Sequence, residues 1–209
     1  MSKLYTLALI FILFSCDSRR IVSNDDTIFV DYDKEQIFDW NNTILIKSVV
    51  SLETADDCVL SYARKCLVSG KYIVYHDEKQ KAIFVFDEEG AFLYVIDAVG
   101  GGPDEYTEIK DMAISCDKEF ILVLDNNSVV SFDLKNGRFQ DRISLPQDIA
   151  SNFYRFANVD KQTFYFWSTE KENSLYLYEN GEMKVIEKRT GFPFVCQKFY
   201  YDSENSLNY

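Results

Sequence analysis

The residues that could perform acid–base or nucleophilic chemistry do not form a recognisable catalytic set. The chain has a single histidine, His76, and nothing in the sequence places it beside a serine or cysteine nucleophile. Carboxylates are abundant, but the adjacent pairs Asp56-Asp57 and Glu88-Glu89 lie in predicted turns, where such pairs are usually solvated. We therefore expect no catalytic residue, and we expect His76 to be an ordinary strand or turn residue near Asp77.

The cysteines and the oxygen-rich turns do not indicate a metal site. No two cysteines form a Cys-x-x-Cys pair, and His76 is too distant from them in sequence to suggest zinc ligation. The run Asp125-Asn126-Asn127 offers oxygen ligands for Ca²⁺, but it lacks the spacing of a calcium loop and is typical of a hairpin turn. We expect no metal and no cofactor. Free thiols are the favoured state of the cysteines after residue 16, which are Cys58, Cys66, Cys116 and Cys196.

The composition indicates an all-β protein with a sizeable core. Of the 209 residues, 47% are hydrophobic and 16% aromatic, including 14 Tyr and 17 Phe, which is too apolar for a disordered chain. Aromatic and β-branched residues suit the pleated, half-buried surface of a sheet, and only three prolines interrupt them. The formal charge of −12 argues against a nucleic-acid partner, because a phosphate-binding surface needs clustered Lys and Arg.

A repeat of apolar strands runs through the chain. Each copy has one strand, then a second strand followed by a turn in which an acidic or Asn residue precedes a Gly, and then a third strand. The turn glycines Gly90, Gly137 and Gly181 lie 47 and 44 residues apart, and glycine takes a positive φ in a tight turn at low cost. The predicted strands cover residues 71–75, 82–86, 92–96, 120–124, 129–134, 138–145, 164–167, 175–178 and 183–186.

This period predicts a β-propeller. Strand repeats of about 40 to 50 residues are typical of blades, and a single blade cannot bury both of its faces, so neighbouring blades stack around an axis. The predicted fold is a partial β-propeller of three to four antiparallel, four-stranded blades over residues 44–209, and the alternative is a β-sandwich with similar hairpins. A further strand is expected at residues 44–52, and the innermost strands at residues 64–68, 111–115 and 154–159.

A glycine-rich segment follows the first predicted blade. Consecutive glycines could cradle a phosphate at the start of a helix, but no Lys-Ser or Lys-Thr pair follows them and the next element is predicted to be a strand. The segment is better explained as a flexible connection from the outer strand of one blade to the inner strand of the next. It is also a candidate binding loop, formed by Gly100, Gly101, Gly102, Pro103, Glu105 and Tyr106.

The N-terminus has the features of an export signal. After Lys3, an apolar stretch over residues 4–14 is too short to span a bilayer but suits a signal-peptide core. The sequence Leu13-Phe14-Ser15-Cys16 resembles the lipobox of bacterial lipoproteins, which implies cleavage before Cys16 and acylation of its thiol and new amino group. Several acyl chains give a durable anchor, since each buried CH₂ contributes about 0.8 kcal/mol. We predict a signal peptide over residues 1–15, membrane lipid attached at Cys16, and a tether over residues 16–43.

The order of motifs around the first repeat resembles a known family. An apolar strand precedes Phe86-Asp87-Glu88-Glu89-Gly90, and a Gly-rich segment ending Gly-Pro-Asp-Glu-Tyr precedes Asp111-Met112-Ala113-Ile114. This order is similar to that of the six-bladed β-propeller lipoproteins common in Bacteroides and relatives, which themselves resemble NHL-repeat propellers. The resemblance extends from residue 44 to the end, and it implies a fold and an envelope location but no catalytic residue. Asp97 and Asp104 stand where the family usually has Gly.

The chain is expected to supply about half of such a ring. Six blades of about 45 residues would need about 270 residues, whereas three repeats and a start at residues 191–209 account for this chain. A truncated gene, a fragment of a longer protein, or two copies that complete one ring would each explain the difference, and truncation is favoured.

These features favour a binding or scaffold protein without catalytic activity, with any ligand site at an axial end of the propeller. Asp17 is soon followed by Arg19 and Arg20 rather than by an acidic cluster, which favours the periplasmic face over the cell surface. The expected ligand is an unidentified protein or glycan. The alternatives are a carbohydrate-active hydrolase or lyase on a propeller scaffold and a structural partner in an envelope complex. The aromatic run at residues 199–201 is expected to be strand core rather than a sugar-stacking platform.

Overall fold

Three four-stranded antiparallel sheets dominate the computed structural model, which describes residues 46–170, 172–188, 200–201 and 207–208. In each sheet, four strands that are consecutive in sequence pair in chain order. The strands of the first sheet are β1 (Ala63–Ser69), β2 (Tyr72–Asp77), β3 (Ala82–Asp87) and β4 (Phe92–Ile96). Those of the second are β5 (Asp111–Ile114), β6 (Phe120–Leu124), β7 (Ser128–Asp133) and β8 (Phe139–Ser144). Those of the third are β9 (Phe153–Asp160), β10 (Thr163–Ser168), β11 (Asn173–Glu179) and β12 (Glu182–Lys188).

Two smaller elements complete the described structure. A one-turn helix, α1 (Gln147–Ala150), connects the second sheet to the third. A short strand pair consists of β13 (Tyr200–Tyr201) and β14 (Leu207–Asn208). All the strands belong to a unit that spans Ser48–Tyr209. The prediction of an all-β protein is confirmed.

Central strands are more buried than the fourth strands at the sheet edges. The central strand β3 is buried at five consecutive positions, so both faces of the first sheet are covered there. The fourth strands β8 and β12 are largely exposed and rich in charged residues. Charged side chains on an edge strand also discourage pairing with other chains.

The turns between the third and fourth strands confirm the predicted repeat. Gly90, Gly137 and Gly181 occupy these turns with φ angles of 91°, 70° and 90°. All nine predicted repeat strands fall on observed strands, and the three predicted innermost strands coincide with β1, β5 and β9 to within one or two residues.

The second sheet packs against both of the other sheets, one on each face. Neighbouring residues of a strand point to opposite faces of the sheet, so Val123 and Leu124 of β6 belong to different cores. The core between the first and second sheets includes Val74, Ile83, Val85, Met112, Ile121 and Val123. The core between the second and third sheets includes Leu122, Leu124, Val129, Phe156, Phe164 and Phe166.

The predicted strand at residues 44–52 is wrong for its described part, residues 46–52. Ile46 and Val49 are 74% and 87% exposed, and this segment pairs with no strand. It leads to the first sheet, where the Glu53 N–H donates to the Gly90 carbonyl at 2.8 Å and Leu52 packs on the outer face. β-Branched residues favour a strand only where a partner strand and a packing surface are available.

The predicted signal peptide, the anchor residue Cys16 and the predicted tether lie outside the described residues. No helix in the described part of the chain has the length and apolar character needed to cross a bilayer.

Candidate binding cavity at the first strands

The first strands of the three sheets are neighbours, with β5 between β1 and β9. Together they line a cavity of about 580 Å³, a volume in the range of small-molecule sites. Apolar side chains from the strand interiors form part of the lining. The charged and histidine side chains of the lining are Arg64, Lys65, His76, Lys110, Asp111 and Arg155.

Asp111 connects the three first strands. Its carboxylate is 4% exposed, and its Oδ1 accepts a hydrogen bond from Lys65 Nζ on β1 at 2.7 Å. Its Oδ2 accepts a hydrogen bond from the backbone N–H of Phe156 on β9 at 3.3 Å. Both carboxylate oxygens are therefore engaged, and the side chain holds the walls of the cavity together.

Tyr154 joins two arginines at the strand starts. Arg64 Nη2 donates to the Tyr154 hydroxyl at 2.8 Å, while Arg64 Nη1 is paired with Glu78. The Arg155 guanidinium lies over the Tyr154 ring, 4.3 Å from its centroid, and its Nη1 donates to the Tyr154 carbonyl at 2.9 Å. A cation over a tyrosine face is attracted by the ring quadrupole. The contact therefore fixes the position of the Arg155 side chain.

Lys110 and Arg155 have no carboxylate within ion-pair distance among the described residues. Lys110 Nζ instead donates to the Ser151 carbonyl at 2.9 Å. Burial lowers the pKa of Lys110, and Glu108 and Asp125 oppose this effect. The other two cations of the lining form ion pairs, Arg64 with Glu78 and Lys65 with Asp111. The cavity therefore has an excess of positive charge, although the formal charge of the protein is −12.

His76 lies in the cavity wall as a nearly enclosed polar group. The prediction that it is a strand residue near Asp77 is confirmed, because it lies on β2 opposite Lys65. The residue is 3% exposed, and its side chain makes no hydrogen bond within the described residues. Burial, with a further contribution from Arg64, lowers the pKa of His76 and favours the neutral imidazole.

The three sheets place different residues at the position of His76. In each sheet this position is on the second strand, directly before a buried residue, and it pairs with a charged residue of the first strand. The equivalent pairs are Lys65 with His76, Asp111 with Leu124, and Arg155 with Trp167. His76 therefore replaces an apolar side chain of the repeat. Sequence reasoning missed the cavity, and superimposing the repeats strand by strand would have revealed this departure.

The glycine-rich segment links β4 to β5, as predicted, and its last residue is a core residue. Tyr106 is completely buried, and its hydroxyl lies 2.8 Å from the Lys81 carbonyl and 3.1 Å from the Ile96 carbonyl, either of which can accept its proton. Burial raises the pKa of Tyr106. The side chain therefore pins the link to the first sheet.

The remaining part of the segment is held by polar contacts. The Glu105 carboxylate accepts a hydrogen bond from the Gly102 N–H at 2.7 Å, and a side chain at Gly100 would collide with that carboxylate. Arg142 on β8 donates to the carbonyls of Pro103, at 3.0 Å, and Glu105. No residue of the segment lines the cavity at the first strands. A ligand role for this loop stays a prediction.

The other residues considered for chemistry lie apart from the cavity or have structural partners. Asp125 lies in the β6–β7 hairpin, as predicted, and its Oδ1 accepts from the Thr107 hydroxyl at 2.7 Å. The pairs Asp56-Asp57 and Glu88-Glu89 are exposed, as predicted. Within the described residues, no three His, Cys, Asp or Glu side chains are placed to hold a metal ion.

The described cysteines are free thiols, as predicted. Cys58 is buried, whereas Cys66 and Cys116 are exposed. Cys66 lies among the lining residues of the cavity, and Cys116 lines a second, smaller cavity of about 350 Å³ between the second and third sheets. Cys196 lies outside the described residues.

Two solved structures share the fold of this chain. One, from Bacteroides fragilis, belongs to a protein described as exported; it aligns with a TM-score of 0.59 and 18% identity over 70% of this chain and 42% of that one. The other, from Bacteroides vulgatus, is a member of the DUF4221 family; it aligns with a TM-score of 0.52 and 14% identity over 74% of this chain and 53% of that one. The chain thus spans about half the length of the structures that it matches.

The sequence comparison identifies the family. No curated protein sequence matches the chain. Residues 25–209, which include every described strand, match the family model of a domain of unknown function, DUF4934. The chain therefore belongs to the DUF4934 family.

Proposed function

We propose that this protein is an exported, lipid-anchored binding protein whose three sheets are consecutive blades of a β-propeller. In this proposal the cavity between β1, β5 and β9 is the ligand site at one axial end. The ligand is bound and released without chemical change. The convergence of three separate first strands on one cavity is the observation that carries the proposal.

The propeller assignment is supported by the order and packing of the sheets. Each sheet is a four-stranded meander, its first strand is next to the first strand of the following sheet, and successive sheets share a core. These are the relations expected of blades around an axis. More specifically, we propose a six-bladed, NHL-like propeller, which is supported by the motif order around residues 86–114.

Export and lipid attachment are supported by the lipobox-like sequence that ends at Cys16 and by the exported description of the Bacteroides fragilis protein. Expression of the full gene in a related host should give a membrane-bound protein whose N-terminal peptide carries the mass of an acylated cysteine. Cys16→Ser should release the protein to the soluble fraction or leave it uncleaved, whereas Cys58→Ser should stay at the membrane. An unacylated wild-type N-terminus would contradict the anchor.

A binding role fits the cavity better than a hydrolytic one. Glycoside hydrolysis ordinarily needs two carboxyl groups on opposite sides of the scissile bond. Among the described residues, the cavity lining contains one carboxylate, Asp111, and both of its oxygens already accept hydrogen bonds. The hydrolase or lyase therefore remains the second choice.

Incubation of the purified full-length protein with a glycan library separates binding from catalysis. We expect some glycans to be retained and recovered intact, with retention reduced by Arg155→Gln in the cavity. Lys135→Gln removes a charge from the exposed β7–β8 turn and should leave retention unchanged. Cleavage of a glycan that a single carboxylate substitution abolishes would contradict the binding role.

A further inference from the structure

The charge of the cavity is opposite to that of the molecule around it. Four of its lining side chains are cationic and one is a carboxylate, although the chain as a whole has 34 acidic and 22 basic residues. Lys65 is matched by Asp111, and Arg64 is matched by Glu78. Arg155 and Lys110 have no such match within the described residues. Two cations that form no ion pair with a described carboxylate thus border one cavity.

We infer that this cavity binds the anionic group of a small organic ligand, with Arg155 and Lys110 contacting a carboxylate, sulfate or phosphate and His76 forming a hydrogen bond to the same ligand. The inference rests on the proposed function, because it specifies the chemical class that the ligand site accepts. The inference also goes beyond the sequence-based prediction, which named only an unidentified protein or glycan as the ligand.

Arg155 is arranged to receive an oxyanion. A guanidinium presents several N–H donors in one plane, which suits two-point recognition of a carboxylate, sulfate or phosphate. Stacking on Tyr154 and one bond to the Tyr154 carbonyl fix the group while other N–H donors stay available. Less side-chain entropy is then lost on binding, because the side chain is already held in place.

His76 supplies a second, independent sign of a ligand. A buried polar group without a hydrogen-bond partner is destabilising, and the repeat accommodates Leu124 or Trp167 at the same position. The apolar residues show that packing does not require a histidine there. The His76 imidazole on the cavity wall has no hydrogen-bond partner among the described residues, and a ligand with a polar group would supply one.

The size and remaining lining of the cavity indicate an organic body rather than a bare ion. About 580 Å³ exceeds by many times the roughly 30 Å³ that one water molecule occupies in the liquid. The apolar residues of the lining that are partly exposed, and so could contact that body, are Leu67, Ala113 and Ile114.

The single histidine makes a site-specific experiment feasible. Because the chain has only one His, the imidazole resonances of a full-length protein without a histidine tag report His76 alone. The probes are glucose 6-phosphate, glucose 6-sulfate and glucuronate, which share a hexose body and differ in the anion, with glucose as the uncharged control. Titrations run at constant pH and ionic strength.

We expect a saturable shift of the His76 resonances with at least one anionic hexose at about 10 mM or below, a concentration that corresponds to weak binding of a fragment. The anion that gives the strongest response distinguishes carboxylate, sulfate and phosphate ligands. Arg155→Gln and Lys110→Gln should each weaken this response about tenfold, as expected for loss of a charged contact. Lys135→Gln should leave it unchanged.

Two outcomes would overturn the inference. One is a response to glucose that equals the response to the three anions, and the other is the absence of any response to the anions up to about 100 mM, well above the weakest specific affinities. Cavity-dependent retention of neutral glycans in the library experiment would then leave the binding function intact while the anion inference fails. Turnover of a probe that a carboxylate substitution abolishes would instead remove the proposed function.

Discussion

His76 and Asp111 show two opposite consequences of burial in the same cavity. Both carboxylate oxygens of Asp111 accept hydrogen bonds, so its burial is compensated by its partners. His76 has no hydrogen-bond partner in the described structure, and burial lowers its pKa. We interpret Asp111 as a residue that holds the first strands in position. We interpret His76 as a residue that would form a hydrogen bond to the proposed ligand.

The pKa of His76 leads to a testable pH dependence of stability. Burial and Arg64 lower the pKa below its ordinary value of about 6.5, against the opposing effects of Glu78, Asp77 and Asp111. As the pH falls below about 6.5, the unfolded state takes up a proton that the folded state resists, so the wild-type protein loses stability down to the folded pKa. His76→Leu removes this loss.

Urea denaturation between about pH 5 and pH 8 measures this effect. The difference in free energy of unfolding between His76→Leu and the wild type should grow as the pH decreases. The variant should be at least as stable as the wild type near neutral pH, because Leu124 occupies the equivalent position in the second sheet. A pH-independent difference would contradict the assigned environment of His76.

Residue-level predictions from sequence succeeded where the role is local. The hairpin at Asp125 and the strand location of His76 follow from short-range patterns. The cavity does not, because Lys110 and Arg155 come from different repeats and only the stacking of sheets brings them together. No local pattern distinguishes them from solvated surface cations.

At the level of elements, the turns at Gly137 and Gly181 have similar φ angles at glycine but different surroundings. Gly137 has a φ of 70°, and a methyl group there would lie 2.8 Å from the Tyr94 ring of the first sheet. Gly181 has a φ of 90° and open space around it. The comparison therefore separates the cost of backbone strain from the cost of a clash between sheets.

We expect Gly181→Ala to lower the free energy of unfolding by about 1 kcal/mol, the cost of a positive φ without glycine. Gly137→Ala should cost about 1–3 kcal/mol more, because the added methyl must displace the Tyr94 ring. Denaturant unfolding of both variants gives the two values. Equal costs would mean that the Gly137 turn does not pack against the first sheet.

Strand prediction was accurate where a repeat supplied partners and wrong where composition alone was used. The strand at residues 82–86 is flanked by two others in the same copy of the repeat, and it is found in β3. Residues 46–52 are equally rich in β-branched side chains but have no paired strand. β-Propensity describes a fit to a sheet surface and cannot create that surface.

At the scale of the whole molecule, β6 couples the three sheets because its two faces belong to two cores. Ile121→Ala opens a cavity between the first and second sheets and should cost about 2–5 kcal/mol. Trp167 lies in the third sheet, and in a Trp40→Phe background it is the sole tryptophan. If the sheets unfold together, Trp167 fluorescence reports the loss of stability caused by Ile121→Ala.

The midpoint of denaturation followed by Trp167 fluorescence should shift with Ile121→Ala as much as the midpoint followed by far-ultraviolet circular dichroism. An unchanged fluorescence midpoint would show that the third sheet unfolds independently of the first core. The control is the Trp40→Phe parent, for which the two signals should also coincide.

The sequence anticipated the all-β class and the repeat of four-stranded sheets because both depend on patterns within about 45 residues. How the sheets pack on one another depends on contacts between repeats. The two solved structures that share the fold are longer, and the parts that align with this chain cover 42% and 53% of their lengths.

The most direct test of ligand binding in this cavity is a crystal structure of the protein with the anionic hexose that gives the strongest His76 response. We predict that the anionic group lies within hydrogen-bond distance of Arg155 and Lys110, with the hexose in the cavity beside His76. A ligand located instead in the smaller cavity between the second and third sheets, or on the glycine-rich loop, would contradict it.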